Sequence, residues 1–145
     1  MKVSQNGLDF LRAQEGFSAT IYNDVGRPAI GFGCDLNPWE VAKYRGRAIT
    51  FEEATDLMLQ RLAPMEETIA WQVRVPITQN QFDALASFTY NLGPGRFKRS
   101  TLLKKLNLKD YKGAAEEFLA WDMVNGKHDP SAYARRKREK HLFES

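Results

Sequence analysis

The spacing of apolar residues changes several times along the chain, and each change marks a predicted element. Residues 4–14 place Leu8 and Leu11 on one helical stripe, with Ser4 as a suitable N-cap. Between residues 18 and 32 the pattern becomes two short strand-like runs, SATIY and PAIGF, joined by the turn-forming segment NDVGR. The chain is therefore predicted to begin with a helix followed by a β-hairpin.

Helical spacing dominates the remainder of the sequence. Thr50 opens TFEE, a capping box, and the helix that follows is predicted to reach Pro64. Thr78 opens a second box, TQNQ, and the segment NLGPG ends that helix. Three more helices are predicted, at residues 100–107, at 110–124 with Asp110 as N-cap, and at 129–145 with a proline just inside its cap.

These elements predict an α+β, mainly helical fold in a single domain spanning residues 1–145. A small hairpin lobe is expected at about residues 15–48. A larger helical lobe is expected from about residues 1–14 and 49–145. Folds with two lobes often leave a cleft between them, so a cleft is expected here as the functional site.

Composition and charge narrow the possible functions. The chain has 145 residues, 43% hydrophobic and 12% aromatic, which is typical of a folded globular protein. The net charge is +3, and six basic side chains lie within residues 127–140. Such a face attracts polyanions, but the run RRKREK carries neither interleaved aromatic residues nor a groove-reading motif. We therefore expect no nucleic-acid partner.

Cofactor and membrane functions have little support in the sequence. Cys34 is the single cysteine, which excludes an intramolecular disulfide, and both histidines are far from it in the chain, so no metal or other cofactor is expected. Cys34 itself is interpreted as a small buried thiol. The first residues contain no apolar run long enough for a signal peptide or membrane anchor, so synthesis in a cytoplasm and no stable membrane insertion are expected.

Two acids, Glu15 and Asp24, flank the first predicted strand. A carboxyl at a helix C-terminus meets an unfavourable dipole, and the neighbouring Phe17 disfavours its charged form; both effects favour a protonated general acid. Asp24, in a polar turn, is expected to stay ionised. Carboxyls in such contrasting environments are typical of glycoside hydrolysis. The spacing alone favours a solvated helix end for Glu15 and a turn former for Asp24.

The residues around these acids resemble a known family. Glu15-Gly16, Tyr22-x-Asp24 and the IGFG segment at 30–33 resemble the phage-type lysozymes of glycoside hydrolase family 24. The resemblance continues, in the same order, through ITFEEATDLM (49–58), QNQFDALASFTYNLGPGRFKRSTLLKKLN (79–107), FLAWDMVNGK (118–127) and ARRKREKHLF (134–143). It implies a lysozyme-like fold and an endolysin-like muramidase that hydrolyses the β-1,4 link between N-acetylmuramic acid and N-acetylglucosamine in peptidoglycan.

Site roles are carried over from the family position by position. Glu15 becomes the general acid and Asp24 the second carboxylate, while Ala29 occupies the position of the threonine whose hydroxyl helps to hold the attacking water. Cys34 stands where the family commonly has histidine. An arginine of the closing helix pairs with the catalytic glutamate in the family. The residues expected to bind substrate or support the site are Phe32, Gln81, Tyr90, Asn91, Arg135 (first choice for that pairing) and Arg136 (second). Trp121 is placed either on the sugar cleft or in the core.

The missing hydroxyl at Ala29 leaves alternatives open. Hydrolysis in phage-mediated host lysis is the leading interpretation, and a lytic transglycosylase or a weakly active or inactive wall-binding homologue are the others. The resemblance also implies peptidoglycan as partner, a monomer, and release by a separate holin from the host cytoplasm to the periplasm and cell wall.

Overall fold

Eight helices and five short strands follow one another along residues 1–145, all of which the computed structural model describes. The first part of the chain contains α1 (Gln5–Glu15), β1 (Ser18–Asp24), β2 (Arg27–Gly31), β3 (Cys34–Asp35), α2 (Pro38–Tyr44) and α3 (Phe51–Gln72). The second part contains α4 (Gln79–Leu92), α5 (Pro94–Arg99), α6 (Thr101–Asn107), α7 (Tyr111–Glu117), β4 (Met123–Val124), β5 (Lys127–His128) and α8 (Pro130–Glu144). The predicted α+β, mainly helical class is confirmed.

The chain divides into two compact units. One consists of Asp9–Pro64, and the other combines Met1–Leu8 with Met65–Ser145. The predicted single domain with lobe boundaries near residues 15 and 48 stays a prediction. None of the helices has the length and apolar character needed to cross a bilayer.

In the unit Asp9–Pro64, the three strands form an antiparallel sheet in the order β1-β2-β3. Val25 and Gly26 form the two-residue loop between β1 and β2, with φ angles of 50° and 81°. Positive φ at both loop positions is the signature of a type I′ turn, whose twist matches that of the flanking strands. The predicted hairpin is therefore present, with a tighter turn than the segment NDVGR suggested. Gly31 on β2 lies close to the side chains of Ala54 and Ile49, both of which are buried.

The other unit has its own apolar core around α4. Every residue of α4 from Phe82 to Thr89 is buried, and this helix packs against α8, while α6 packs against α7. Core side chains that are fully buried include Ile69, Phe88, Phe97, Leu102, Leu106 and Phe118. The buried stretch of α4 includes the polar residues Asp83, Ser87 and Thr89 as well as apolar ones, and this helix lies at the centre of the unit.

The predicted helix starts are confirmed by their capping bonds. The Ser4 hydroxyl accepts a hydrogen bond from the Gly7 N–H. In each capping box, the threonine hydroxyl accepts from the backbone N–H of the residue three positions later, whose side chain accepts from the threonine N–H; the pairs are Thr50 with Glu53 and Thr78 with Gln81. Asp110 accepts from the Gly113 N–H. These interactions depend on residues three positions apart, so the local sequence is sufficient to predict them.

Several predicted boundaries were wrong. Helix α3 continues through Pro64 to Gln72. The apolar spacing continues with it, since Leu62 and Ile69 are both fully buried. The helix predicted at 110–124 ends at Glu117 and is followed by a 3-10 turn at Phe118–Ala120. Asn125-Gly126 then forms a second two-residue turn with positive φ that pairs β4 with β5. Helices α2 and α5 were missed, and both begin with proline after a cap position.

Candidate active site

Glu15 is the last residue of α1, and the chain leaves the helix at once through Gly16, whose φ is +70°. This left-handed residue ends the helix and turns the chain towards β1. The Glu15 side chain is half-buried and borders a cavity of about 240 Å³. The cavity is lined by Glu15, Gly16, Phe17, Ser18, Tyr22 and Gly31.

Gly33 lies directly beside the Glu15 carboxyl. A Cβ added at Gly33 would stand 2.9 Å from Glu15 Oε2, 3.6 Å from its Cδ and 4.0 Å from the Tyr22 hydroxyl oxygen. The backbone at Gly33 also has φ of +70°, which glycine adopts without the penalty that other residues meet. Because Gly33 has no side chain, the space beside it stays open, and both the Glu15 carboxyl and the Tyr22 hydroxyl border this space.

Asp24 ends β1 on the exposed edge of the hairpin and is opposite Arg27 in the register of the sheet. Arg27 Nη1 lies 3.7 Å from Asp35 Oδ2, on the outer strand β3, and both of these side chains are well exposed. Since cross-strand partners share a face, Asp24, Arg27 and Asp35 lie on one face of the sheet.

Ala29 is 0% exposed on β2 and pairs with Tyr22 on one side and Asp35 on the other. It therefore lies on the same sheet face as Asp24, where the resemblance places a threonine. The methyl group of Ala29 offers no hydrogen bond at this point. The predicted departure from the family pattern falls inside the hairpin that carries Asp24.

Tyr22 lies among the charged groups of this unit. Burial raises the pKa of Tyr22, and the charges of Asp24 and then Glu15 raise it further. Its hydroxyl is consequently held in the neutral form, able both to donate and to accept a hydrogen bond. Tyr22 belongs to the family pattern but was not predicted to act in the site.

Phe32 has a supporting position. It is 1% exposed and packs between Phe17 and Phe51, with ring centroids 5.5 and 5.2 Å away. Phe17 and Phe51 are about half exposed, and the Arg12 guanidinium lies 5.0 Å from the Phe51 ring centroid. The buried ring of Phe32 cannot stack on a sugar, and instead it fixes Phe17 at the edge of the Glu15 cavity.

Arg135 and Arg136 lie in the other unit, on α8, and are 8% and 1% exposed. These two arginines are therefore not part of the solvated basic face of residues 127–140. Arg136 Nε is 2.8 Å from Glu139 Oε1, and Arg135 Nε is 3.3 Å from Glu139 Oε2, which also accepts from the Ser87 hydroxyl at 2.5 Å. Burial raises the pKa of Glu139, while both guanidiniums and the Ser87 hydroxyl act in the opposite direction. The expected pairing of an arginine with Glu15 stays a prediction.

The remaining predicted site residues lie on or near α4. Asn91 is exposed and its Oδ1 accepts a hydrogen bond from Arg136 Nη2 at 2.7 Å, beside the half-buried Tyr90. The Gln81 side-chain carbonyl accepts from the Thr78 N–H, so it serves the helix cap. Trp121 packs edge-on against Phe88 at 5.6 Å and is half-buried, so it is only partly a core residue.

Trp121 also lines the larger cavity of this unit, of about 520 Å³, whose lining includes Leu92, Arg96, Arg99 and Met123. No group of three histidine, cysteine or acidic side chains is placed to hold a metal ion. Cys34 is buried on β3, as interpreted.

Sequence reasoning missed Tyr22 and Gly33 beside Glu15, and it also missed Glu139, the buried acid of α8. The signal for Glu139 was its spacing of three and four residues from the two arginines on a helix, which brings opposite charges together. Nothing comparable pointed to Gly33, because its contact with Glu15 joins the turn between β2 and β3 to the end of α1.

The geometry and the fold together define a lysozyme-like protein. The chain is similar to P22 lysozyme, with a TM-score of 0.86 and 37% identity over 100% of this chain and 99% of that one. It is also similar to the muramidase domain of SpmX from Asticaccaulis excentricus, with a TM-score of 0.89, 32% identity, and coverage of 99% and 98%. The predicted lysozyme-like fold is confirmed.

The relatives specify the family. The phage lysozyme family model matches residues 12–139. The chain is 40% identical to the endolysin of Salmonella phage P22, covering 99% of this chain and 98% of the relative. It is 39% identical to the endolysin of Acyrthosiphon pisum secondary endosymbiont phage 1, covering 100% and 99%. The chain therefore belongs to the phage lysozyme family, and its predicted class, a peptidoglycan-degrading glycoside hydrolase, is confirmed.

Proposed function

We propose that this chain hydrolyses the β-1,4 link between N-acetylmuramic acid and N-acetylglucosamine, with Glu15 as general acid and Asp24 as the carboxylate that guides water. The observation that carries this proposal is the position of Glu15. Its carboxyl stands at a helix end, over the bare backbone of Gly33, and at the edge of a cavity. A general acid must be both accessible and held in place, and this arrangement meets both needs.

The two acids have different surroundings. Glu15 is half-buried among Phe17, Tyr22 and backbone, whereas Asp24 is exposed beside Arg27. In the proposed reaction Glu15 gives its proton to the leaving oxygen, while Asp24 accepts a proton from the water that attacks the sugar carbon. Contrasting environments of this kind separate the acid role from the base role.

The test is loss of turbidity of purified peptidoglycan sacculi, with Glu15→Gln and Asp24→Asn as matched variants that keep the side-chain size. We expect lysis by the native chain and at least a hundredfold slower lysis by Glu15→Gln, in keeping with the usual contribution of a general acid, about 10²–10⁴-fold. Lysis by Glu15→Gln at the native rate would contradict the assignment of the acid.

The products distinguish the alternatives that Ala29 raises. New reducing ends support hydrolysis, whereas 1,6-anhydro ends alone would establish a lytic transglycosylase. Binding to sacculi without any cleavage would establish a wall-binding homologue. We place hydrolysis first because both acids are present, Glu15 at the end of α1 and Asp24 at the end of β1, and because the relatives named above are endolysins.

In a phage infection, the proposed enzyme acts as a monomer that a separate holin releases from the host cytoplasm to the periplasm and cell wall. The support for this is its relation to phage endolysins. Release of the enzyme from cells with and without a co-expressed holin tests the dependence, and light scattering tests the monomer.

A further inference from the structure

The sheet register raises the question of which group supplies the hydrogen bond that Ala29 cannot. Ala29 has two partners across the sheet, Tyr22 on β1 and Asp35 on β3. Partners in register lie on the same face with their Cβ atoms about 5 Å apart, so both reach the region beside Ala29. Asp24, two residues after Tyr22 on the same strand, also lies on this face.

The two partners are not chemically equivalent. The Asp35 carboxylate faces the Arg27 guanidinium at 3.7 Å, is largely exposed, and when ionised can only accept hydrogen bonds. Tyr22 carries a hydroxyl, which can accept a hydrogen bond and donate one at the same time. A water that must keep one lone pair aimed at a sugar carbon is best held by a carboxylate and a second group that adapts to it.

The Tyr22 hydroxyl also lies beside the acid. It faces the same point above Gly33 as Glu15 Oε2, and the Tyr22 side chain lines the cavity that Glu15 borders. Burial raises the pKa of Tyr22, and Asp24 and Glu15 raise it further, so the phenol keeps its proton throughout the pH range of a lysozyme assay. Tyr22 thus places a neutral hydroxyl near the Glu15 carboxyl and within electrostatic reach of Asp24.

We propose that the Tyr22 hydroxyl and the Asp24 carboxylate together hold the attacking water, in place of the hydroxyl that position 29 lacks. The proposal rests on the proposed function. The water oxygen forms the new bond to the anomeric carbon as the glycosidic carbon–oxygen bond breaks. The leaving oxygen takes the Glu15 proton, one water proton passes to Asp24, and Tyr22 retains its own proton throughout.

The experiment is a double-mutant cycle between positions 22 and 29. Tyr22→Phe removes only the hydroxyl, and we expect it to lower kcat on sacculi by about tenfold to a hundredfold while KM changes less than about threefold, the effect of one lost hydrogen bond to a reacting group. In chains carrying Ala29→Thr, a hydroxyl is restored, and Tyr22→Phe is expected to cost less than about threefold.

Ala29→Val is the matched control, because valine has the shape of threonine without its hydroxyl. Ala29 is fully buried, so either larger side chain disturbs the packing, and the valine variant measures that disturbance alone. Ala29→Ser, which adds one atom, repeats the test with less strain. Circular dichroism and thermal melting of every variant confirm that comparisons are made between folded proteins.

A second measurement follows the phenol itself. An ordinary tyrosine titrates near pH 10. The tyrosinate absorbance of the native chain minus that of Tyr22→Phe should titrate at a higher pH than this. If the difference titrates at or below that range, the phenol is not held among Glu15 and Asp24 as described, and the proposal is wrong.

The outcomes separate this proposal from the proposed function. A native chain no faster than Glu15→Gln overturns the proposed function and this proposal with it. An active native chain whose Tyr22→Phe variant keeps its kcat within about twofold overturns the role of Tyr22 alone. An equal loss from Tyr22→Phe in the native, Ala29→Thr and Ala29→Val backgrounds also overturns it, because the phenol hydroxyl would then not replace anything at position 29.

Discussion

Substituting Gly33 with alanine should lower activity far more than stability. The added methyl group meets two obstacles, the left-handed backbone at φ +70° and the Glu15 carboxyl, whose Oε2 would be only 2.9 Å from the new carbon. Gly33 contacts neither acid through a side chain of its own. The absence of a side chain at Gly33 leaves space for the Glu15 carboxyl. A methyl group added there would displace that carboxyl, so the change in kcat measures how much the position of Glu15 matters.

The structure allows both effects to be sized. Left-handed backbone costs a non-glycine residue about 1–2 kcal/mol, which lowers Tm by about 3–8 °C for a chain of this size. The carboxyl must also retreat by about half an ångström to reach ordinary van der Waals separation. Since a misplacement of about 1 Å costs a catalytic group on the order of a hundredfold, we expect kcat for Gly33→Ala to fall about tenfold or more.

Gly46→Ala is the matched control. Gly46 has a φ of +73°, belongs to the same unit, and has nothing within 4 Å of the position of an added Cβ. We expect it to lose a similar free energy of unfolding and to keep its kcat on sacculi. Equal kcat values for Gly33→Ala and Gly46→Ala, with both folded, would refute the inference that Gly33 sets the position of Glu15.

Two further predictions concern stability. Val25→Asn should raise the free energy of unfolding by about 1 kcal/mol in urea denaturation, because Val25 is 92% exposed and holds a φ of 50° that asparagine tolerates and β-branched residues do not. No gain is expected from Val124→Asn, which lacks a positive φ, and a gain of equal size there would contradict the explanation. Glu139→Gln should cost about 3–5 kcal/mol, because it removes the buried charge that two guanidinium groups contact. Glu144→Gln, on the same helix but in an exposed pair with Lys140, should cost less than about 1 kcal/mol, and similar losses from both would argue against a buried ion pair.

The chain's departure at Ala29 affects the site more than the fold. Ala29 is fully buried in the middle strand of the sheet, and the alanine methyl group packs there without any polar requirement. A hydroxyl buried at this position would need a hydrogen-bond partner, which the alanine methyl group does not. What changes is the set of groups available to water, and this explains why Tyr22, its partner across the sheet, becomes the informative residue.

Local interactions were predictable from the sequence. The caps at Ser4, Thr50, Thr78 and Asp110 form as predicted because each joins a side chain to a backbone group about three residues away. The acids Glu15 and Asp24 could also be named in advance, although only the resemblance of surrounding segments distinguished them from surface acids. Interactions this short in sequence need no knowledge of the rest of the chain.

Other features were settled only by the tertiary structure. The spacing of α8 brings Arg135, Arg136 and Glu139 together on a helix, but it does not reveal that Ser87, 52 residues from Glu139, closes the cluster inside the core. The register that places Ala29 between Tyr22 and Asp35 depends on a turn at Val25 that local preferences do not favour.

The sequence by itself thus determined the helix starts, the hairpin and the two candidate acids. The tertiary structure decided which charges are buried, which face Ala29 occupies, and that Gly33 lies against Glu15. The physical reason is the range of the interactions: caps and turns form within a few residues, whereas burial and contact between elements depend on how the whole chain packs.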